Sequence, residues 1–455
     1  MFEQLLALAI FIAVFAIAAV RNVNIGIAMF PVACVVGIWI ADIALDDVVA
    51  GFPLSILVLL VGVTYFFGIA HSNGTIDWLI ESSLAKVGDR VALLPTAFFV
   101  LTGLISAMGA PLGGLVMAPM GMSVAHKRGI DPMLMALAMG CGLSAGAFAP
   151  TSLFGIITWG TADSAGIELS PLLLFGVAIA INLVLLVVAH VLFGRGRRRA
   201  ATPEFAKAMV ARGEAQRNAL PTYGQSSLDL EPDRANSGDG DGERGPVGRP
   251  TGLQSLTLAA MVVLVALVVV LALRDADPDI GVIGFALGAA LALLDPKAGK
   301  AAMSRIDWGS VLLVGGIITY VGVLTQMGVI DLLGEKAAAV GAPVIAALML
   351  CAAAGLISAF ASTTGMLAAL VPLALPLISE GGIPGWAMIC AIGVCASIVD
   401  VSPFSTVGAT YVATTVDEEQ RPRMTTLLTR WGLSMVVIGP VALTLTLILP
   451  GMAFS

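Results

Sequence analysis

GLISAMGAPLGG (residues 103–114) decides the fold when it is set beside GLISAFASTTGM (residues 355–366). Both stretches begin with the same five residues, and both continue with small or polar residues inside an overlong apolar segment, 92–126 or 343–379. Each segment is too long for one membrane-spanning helix and too short for two full crossings joined by a turn. The pattern predicts two half-depth helices that meet at a tip, a re-entrant hairpin; two very short spans are the alternative.

Four further matches between the halves of the chain accompany this one. They fall in the same order, and all five matches have offsets of 252 to 255 residues. A fixed period of this kind predicts an internal repeat. The further matches are Thr64-Tyr65 with Thr319-Tyr320, Gly74-x-Ile76-Asp77 with Gly328-x-Ile330-Asp331, Gly129-Ile130 with Gly382-Ile383, and Pro150-x-Ser152-x-x-Gly155 with Pro403-x-Ser405-x-x-Gly408.

The composition is that of a membrane protein. Of the 455 residues, 58% are hydrophobic and only 12% are charged, and the apolar runs are long enough to cross a bilayer. The net charge of -7 gives no indication of nucleic-acid binding. A polar stretch rich in Gly, Pro and Ser divides the chain, and it predicts a disordered linker. The predicted parts are an N-terminal membrane repeat (1–194), a cytoplasmic linker (195–252) and a C-terminal membrane repeat (253–455).

Prolines interrupt one further long apolar segment in each half, at Ala149-Pro150 and at Ser402-Pro403. Proline removes a backbone donor, so we expect a helix break at each site. The predicted fold is an all-α integral membrane protein with two inverted-topology repeats, each of five transmembrane helices plus a re-entrant hairpin, with broken helices at the midplane. The odd number of spans makes the halves opposite in orientation.

The loop charges agree with this topology. Lys and Arg stay on the cytoplasmic side of a membrane protein. They concentrate in alternate loops, including Lys127-Arg128 and the cluster from Arg195 to Arg199. This predicts a multi-pass protein of the plasma (inner) membrane, with both termini outside and the linker in the cytoplasm.

Inverted repeats with broken helices are typical of alternating-access transporters, which bind substrate near the midplane. Half-helix N-termini suit anions, whereas hydroxyl and carbonyl oxygens suit a sodium ion. The predicted substrate-binding residues are Gly109, Ala110, Pro111, Thr151, Ser152, Thr363, Thr364, Ser405 and Thr406. The predicted sodium or proton coupling residues are Ser106, Gly146, Ser358, Ser362, Asp400 and Ser402. The alternative is that these small residues serve helix packing.

Asp400 is the one acidic residue well inside an apolar segment, and Ala147 occupies the matching position of the first half. An intramembrane carboxylate is costly, which makes it a functional candidate. Asp400 could bind a cation, carry a coupling proton, or bond to backbone groups freed by the break. The apolar segments lack a deep Lys or Arg, so an anionic substrate would depend on bound cations and helix dipoles, which favours sodium coupling.

These features resemble the ion transporter superfamily, whose divalent-anion–sodium symporters carry a Ser-Asn-Thr motif at each hairpin tip and a Pro- and Thr-rich helix break about 40 to 50 residues later. Ser362-Thr363-Thr364 stands where the second tip motif would be, with Thr363 in the Asn position. The break Ser402-Pro403-Phe404-Ser405-Thr406 follows 40 residues after Ser362. The first tip, Ala110-Pro111-Leu112, departs from the motif. FPLSILVLLVGVTYFFGIAHSNGTIDWL (52–79) more closely resembles the MatC-type dicarboxylate (malonate) carriers.

The resemblance implies a secondary transporter that couples uptake of small dicarboxylates, such as malonate or succinate, to sodium. It also implies a homodimer in lipid and no cofactor other than a possible sodium ion. An alternative is a proton–cation antiporter or an inorganic-anion permease of the same superfamily using Asp400. An enzyme is disfavoured because the sequence has no HExxH, paired acidic metal motif or P-loop. A passive channel is disfavoured because an open pore does not need duplicated broken-helix gates.

Overall fold

A computed structural model describes residues 2–21, 23–86, 91–109, 115, 117–194, 249–272, 279–329, 332, 343–359, 363–379 and 381–454. Within these ranges the regular secondary structure is helical, and no strand occurs. The predicted all-α class is therefore confirmed for the described part of the chain. Residues 195–248 of the predicted linker lie outside these ranges.

Ten helices of the first half lie in the described ranges. Their bounds are α1 (Phe2–Val20), α2 (Ile25–Trp39), α3 (Leu45–Ala50), α4 (Leu54–Ser72), α5 (Thr75–Lys86), α6 (Leu94–Ala107), α7 (Met117–Arg128), α8 (Pro132–Ala147), α9 (Leu153–Ser164) and α10 (Pro171–Phe193).

The described helices of the second half follow a corresponding order. They are α11 (Gly252–Ala272), α12 (Ile280–Leu294), α13 (Pro296–Met303), α14 (Trp308–Gln326), α15 (Pro343–Ser358), α16 (Thr363–Leu373), α17 (Leu375–Ser379), α18 (Gly385–Ile398), α19 (Thr406–Ala413), α20 (Arg421–Leu443) and α21 (Leu449–Phe454). Several counterparts have equal lengths: α2 and α12 have 15 residues, α4 and α14 have 19, and α10 and α20 have 23.

Four helical segments of the described chain are long and apolar enough to cross a membrane, namely Leu45–Ser72, Pro171–Phe193, Trp308–Gln326 and Glu418–Ala453. Further apolar helices there, such as α2, α8 and α18, have 14 to 16 residues. These lengths and compositions fit a multi-pass membrane protein. The shorter helices include α6, α8, α15, α16 and α18, which adjoin the predicted breaks and hairpin tips, where a long apolar run is interrupted.

Both predicted helix breaks are confirmed. In the first half, α8 ends at Ala147 and α9 begins at Leu153; in the second half, α18 ends at Ile398 and α19 begins at Thr406. Pro150 and Pro403 lie in these interruptions. A proline cannot supply the N–H that would continue the helix, and its ring disfavours helical geometry in the residue before it.

The predicted hairpins correspond to α6 with α7 and to α15 with α16 and α17. Most tip residues, 110–114, 116 and 360–362, lie outside the described ranges. The insertion of these hairpins from opposite membrane faces stays a prediction.

Helices α8 and α18 cross at their small residues. The hydroxyl of Ser144 donates to that of Ser397 across 2.8 Å. Four residues before Ser144, a Cβ built on Gly140 would lie 2.3 Å from Cγ1 of Val401, which is four residues after Ser397.

The reverse contact also occurs, because a Cβ built on Gly393 would lie 3.1 Å from Cε1 of Phe148. Moving forward along α8 therefore means moving backward along α18, so the two helices run antiparallel. Ser144 and Ser397 are also counterparts in the sequence repeat, at an offset of 253 residues.

A second pair of exchanged contacts joins the two halves. Helix α2 packs against α14, where a Cβ built on Gly26 would lie 1.9 Å from the carbonyl oxygen of Leu312. Helix α4 packs against α12, where a Cβ built on Gly62 would lie 2.2 Å from the carbonyl oxygen of Gly281. Small residues permit this close approach between helices in membranes. The counterpart of α2 is α12, and the counterpart of α4 is α14, so each half contributes the same two helices to the exchange.

Candidate functional site

Asp400 lies at the break after α18 and is only 7% exposed. Its Oδ1 accepts a hydrogen bond of 2.6 Å from the hydroxyl of Thr363 and a longer one of 3.4 Å from the hydroxyl of Ser358. The two hydroxyls are themselves 2.8 Å apart. Three of the predicted site residues therefore form one buried polar cluster, here called the second cluster, which joins the end of α15 and the start of α16 to the second break.

The backbone of the second break is fixed by its own side chains. The Ser402 hydroxyl donates to the carbonyl oxygen of Ala359 across 2.9 Å, which ties the break to the end of α15. The Ser405 hydroxyl donates to the carbonyl oxygens of Asp400 and Ser402 and accepts from the N–H of Gly408, so it also caps α19. A serine at a helix N-cap satisfies a backbone donor that the first turn leaves free.

The hydroxyls of the first half bind backbone instead. Ser106 donates to the carbonyl oxygen of Leu143 at 2.8 Å, Thr151 to that of Ala107 at 2.7 Å, and Ser152 to that of Ser106 at 2.6 Å. All three side chains are buried. These three residues are here called the first cluster. Their bonds connect the end of α6 to α8 and to the first break, but they converge on no charged group.

Asp400 forms no ion pair with a cationic side chain among the described residues. Hydroxyl donors alone support its Oδ1, although a buried carboxylate without a counter-ion is costly. The second cluster therefore offers one carboxylate together with hydroxyl and carbonyl oxygens, which are the ligands that a hard cation prefers. The described residues contain no group of three or more His, Cys, Asp or Glu side chains that could hold a metal ion.

The remaining predicted residues have varied surroundings. Gly146 packs against the end of α6, and a Cβ on it would lie 2.0 Å from the carbonyl oxygen of Gly103. Gly109 has φ +93°, and a Cβ on it would lie 2.8 Å from Cδ2 of Phe67. Thr364 is half-buried beside Thr363, whereas Thr406 is exposed. The predicted residues Ala110, Pro111 and Ser362 lie outside the described ranges.

Sequence reasoning missed the polar group at the crossing of α8 and α18. Asn182 of α10 donates through Nδ2 to the hydroxyl of Ser144 at 3.2 Å and to the carbonyl oxygen of Ala178 at 2.9 Å. The available signals were an amide inside the apolar segment 170–193 and the offset of 253 residues between Ser144 and Ser397.

Two family models match the chain. Residues 1–147 match the model described as "Dicarboxylate carrier protein MatC N-terminus". Over these residues the chain is similar to the MatC-type dicarboxylate carriers. The resemblance first suggested by residues 52–79 is thereby confirmed, and the matched region includes α6 and α8 with the Ser106–Leu143 bond. Residues 255–454, which contain the Asp400 cluster, match the model described as "Citrate transporter". Both models describe transporters, and neither describes an enzyme.

The fold is similar to that of a solved transporter. The crystal structure of the YdaH transporter of Alcanivorax borkumensis, described as having an unusual topology, aligns with a TM-score of 0.55 and 16% identity. The alignment covers 88% of this chain and 86% of that one. At this identity the likeness concerns the fold alone. The comparison with curated proteins gave no match.

Proposed function

We propose that the protein is a secondary transporter for small carboxylates that couples their movement to a cation bound at Asp400. The observation that carries this proposal is the convergence of the Thr363 and Ser358 hydroxyls on the Asp400 carboxylate at the end of a broken helix. A sodium ion entering this cluster would replace hydroxyl hydrogens as the partner of Oδ1. A proton would neutralise the same carboxylate.

The two matched family descriptions support the substrate class. One names a dicarboxylate carrier and the other a citrate transporter, and both substrates are small organic acids with more than one carboxylate. We propose malonate or succinate as the preferred substrate, bound between the hairpin tips and the helix breaks. Helices α9 and α19 begin at these breaks. Their N-termini carry partial positive charge that would stabilise a bound carboxylate.

We also propose that the two halves are inverted repeats and that the protein works by alternating access. The antiparallel crossing of α8 and α18 supports this arrangement, as does the exchange of α2, α4, α12 and α14 between the halves. Helices that are counterparts and run antiparallel are related by an axis perpendicular to them, which an inverted repeat requires. A homodimer in the plasma membrane with both termini outside is part of the same proposal.

The deciding experiment is uptake into proteoliposomes of radiolabelled acetate, malonate, succinate and citrate, each with and without an inward sodium gradient. The proposal expects sodium-stimulated uptake of a dicarboxylate that exceeds acetate uptake. The same four acids are then tested under a proton gradient at zero sodium. If the proton gradient drives uptake and the sodium gradient does not, the proton is the coupling ion. Absence of uptake of all four acids under both gradients would reject the proposal.

A second candidate function is proton–cation antiport or inorganic-anion transport through Asp400. The single carboxylate of the second cluster favours it, because one protonatable group suffices to exchange a proton for a cation. Sodium-driven proton movement in liposomes that contain no organic acid would identify antiport. Sulfate or phosphate uptake that exceeds dicarboxylate uptake would identify the permease.

A further inference from the structure

We infer that three residues, here called the crossing group, are positioning residues: Asn182, Ser144 and Ser397. They transmit cation occupancy at the second cluster, around Asp400, to substrate binding at the first cluster and its helix break. The inference rests on the proposed function. The crossing group lies where the two broken helices meet, and each of these helices leads directly to one of the two clusters.

The hydrogen bonds of the crossing group run in one direction across both halves. Asn182 donates to Ser144, Ser144 donates to Ser397 at 2.8 Å, and Ser397 donates to the carbonyl oxygen of Val394 at 3.1 Å. All three side chains are buried, at 1%, 4% and 2% exposure. A buried chain of this kind fixes the register of the helices that carry it, because a shift along either helix would leave a donor without an acceptor.

Each of the two serines of the crossing group is joined to one cluster. On one side, the neighbouring carbonyl of Leu143 accepts from Ser106, which belongs to the first cluster. On the other side, the N–H of Asp400 donates to the carbonyl oxygen of Ser397 at 3.1 Å, and the Asp400 carboxylate belongs to the second cluster. The two clusters are therefore connected through packed and hydrogen-bonded groups without a gap.

Stability alone does not account for Asn182. Its Oδ1 is buried and has no hydrogen-bond partner among the described residues. An unpaired buried acceptor destabilises a protein, and a leucine would fill a similar volume without one. A buried amide that leaves its acceptor unpaired and yet joins α10 to α8 fits a positioning role better than a packing role.

The experiment measures the coupling itself. Equilibrium binding of radiolabelled succinate to the purified full-length protein is recorded at low and at high sodium, with choline as the replacing ion. The ratio of the two Kd values is the coupling factor, for which roughly 5 to 150 is typical.

Asn182→Leu, Ser144→Ala and Ser397→Ala should each reduce the coupling factor by about fivefold, the ratio that corresponds to one lost hydrogen bond. The succinate Kd at high sodium should change by less than about twofold, since no direct substrate contact is removed. The double variant S144A/S397A should lose no more than either single variant, because both residues belong to one bond.

The unfolding temperature separates positioning from a structural role. Asn182→Leu should unfold at the wild-type temperature or above it, while its coupling factor falls. Thr102→Val is the matched control, because Thr102 is fully buried in α6 and its hydroxyl has no partner among the described residues. This control should keep the full coupling factor.

An unchanged coupling factor in Asn182→Leu, or an equal fall in Thr102→Val, would overturn the inference. If the wild-type protein binds none of succinate, malonate and citrate at either sodium concentration, the proposed function fails separately. In that case the inference about the crossing group is tested by thermal unfolding of the Ser144→Ala variant, the Ser397→Ala variant and the double variant. Strictly additive losses of unfolding temperature would show that the two serines do not act as one unit and would overturn the inference.

Discussion

The two halves use the same residue type for different purposes. In the first half, Ser106, Thr151 and Ser152 each give their hydroxyl hydrogen to a backbone carbonyl. In the second half, Ser358 and Thr363 direct theirs to the Asp400 carboxylate. Hydroxyls that donate to backbone carbonyls stabilise an irregular backbone. Hydroxyls that donate to a carboxylate can give up that bond when the carboxylate binds another partner. Under the proposed function, this difference assigns cation binding to the second half alone.

Asp400→Asn tests this comparison most severely. The amide keeps the shape but lacks the charge, so cation-dependent uptake should fall by about 100-fold, the equivalent of losing one charge-assisted interaction. Sodium titration of succinate uptake in proteoliposomes measures the loss. Asp163→Asn, at the exposed end of α9, is the control and should behave as wild type. Normal sodium dependence in Asp400→Asn would return Asp400 to a structural role.

A pair of threonine substitutions sharpens the comparison. Thr363 and Thr151 are almost equally buried, at 6% and 7% exposure. Thr363→Val should weaken the sodium dependence of uptake about 10-fold, because it removes the shorter of the two hydroxyl bonds to the Asp400 carboxylate. Thr151→Val should instead cost about 1 kcal/mol of stability, because it leaves the Ala107 carbonyl without its donor, and should keep its sodium dependence. Equal transport defects in both variants would remove the distinction between the halves.

Gly109→Ala tests the first tip by stability. Its φ of +93° strains any side chain, and the added methyl would meet the ring of Phe67. We expect a loss of about 2–3 kcal/mol in thermal or denaturant unfolding. Gly166→Ala supplies the strain without the contact, since φ is +73° and nothing lies within 4 Å of its Cβ position. A loss no greater than that of Gly166→Ala would mean that Phe67 does not confine the tip.

Cysteine labelling tests orientation and should leave transport almost unchanged. In a background without the five native cysteines, Lys127→Cys should react with an impermeant maleimide only from the cytoplasmic side, and Glu380→Cys only from outside. Lys127 lies in the last turn of α7, and position 380 directly follows α17, so the two positions correspond in the repeat and opposite-side labelling is the direct sign of inverted halves. Labelling of both positions from one side would refute the inverted topology. The correspondence between the first and second clusters would then need another explanation.

The sequence predicted the parts of the fold that depend on local chemistry. Apolar runs predicted the helices. Pro150 and Pro403 predicted the two breaks, because a proline lacks the N–H that a helix needs at that position. The position of Asp400 inside an apolar segment was enough to single it out. The sequence did not distinguish the hydroxyls that bind carbonyls from those that bind Asp400, because that depends on which backbone groups the two breaks bring near.

The crossing group was missed for a related reason. Ser144, Ser397 and Asn182 belong to separate apolar segments, and a serine in such a segment usually bonds to its own helix. Only the antiparallel approach of α8 and α18 turns one serine toward the other. The repeat offset of 253 residues pairs Ser144 with Ser397. It predicts their contact only if each residue is expected to contact its own counterpart.

The contact between Ser144 and Ser397 bears on how such a chain can originate. If each half descends from one shorter segment that inserted into the membrane in both directions, two copies would have met along a twofold axis. A serine on that axis would have faced its own copy, so a single mutation would have changed both sides of the contact at once. Fusion into one chain would have removed that constraint. The two copies could then diverge independently, which would account for Ala147 and Asp400 at the matching positions three residues later.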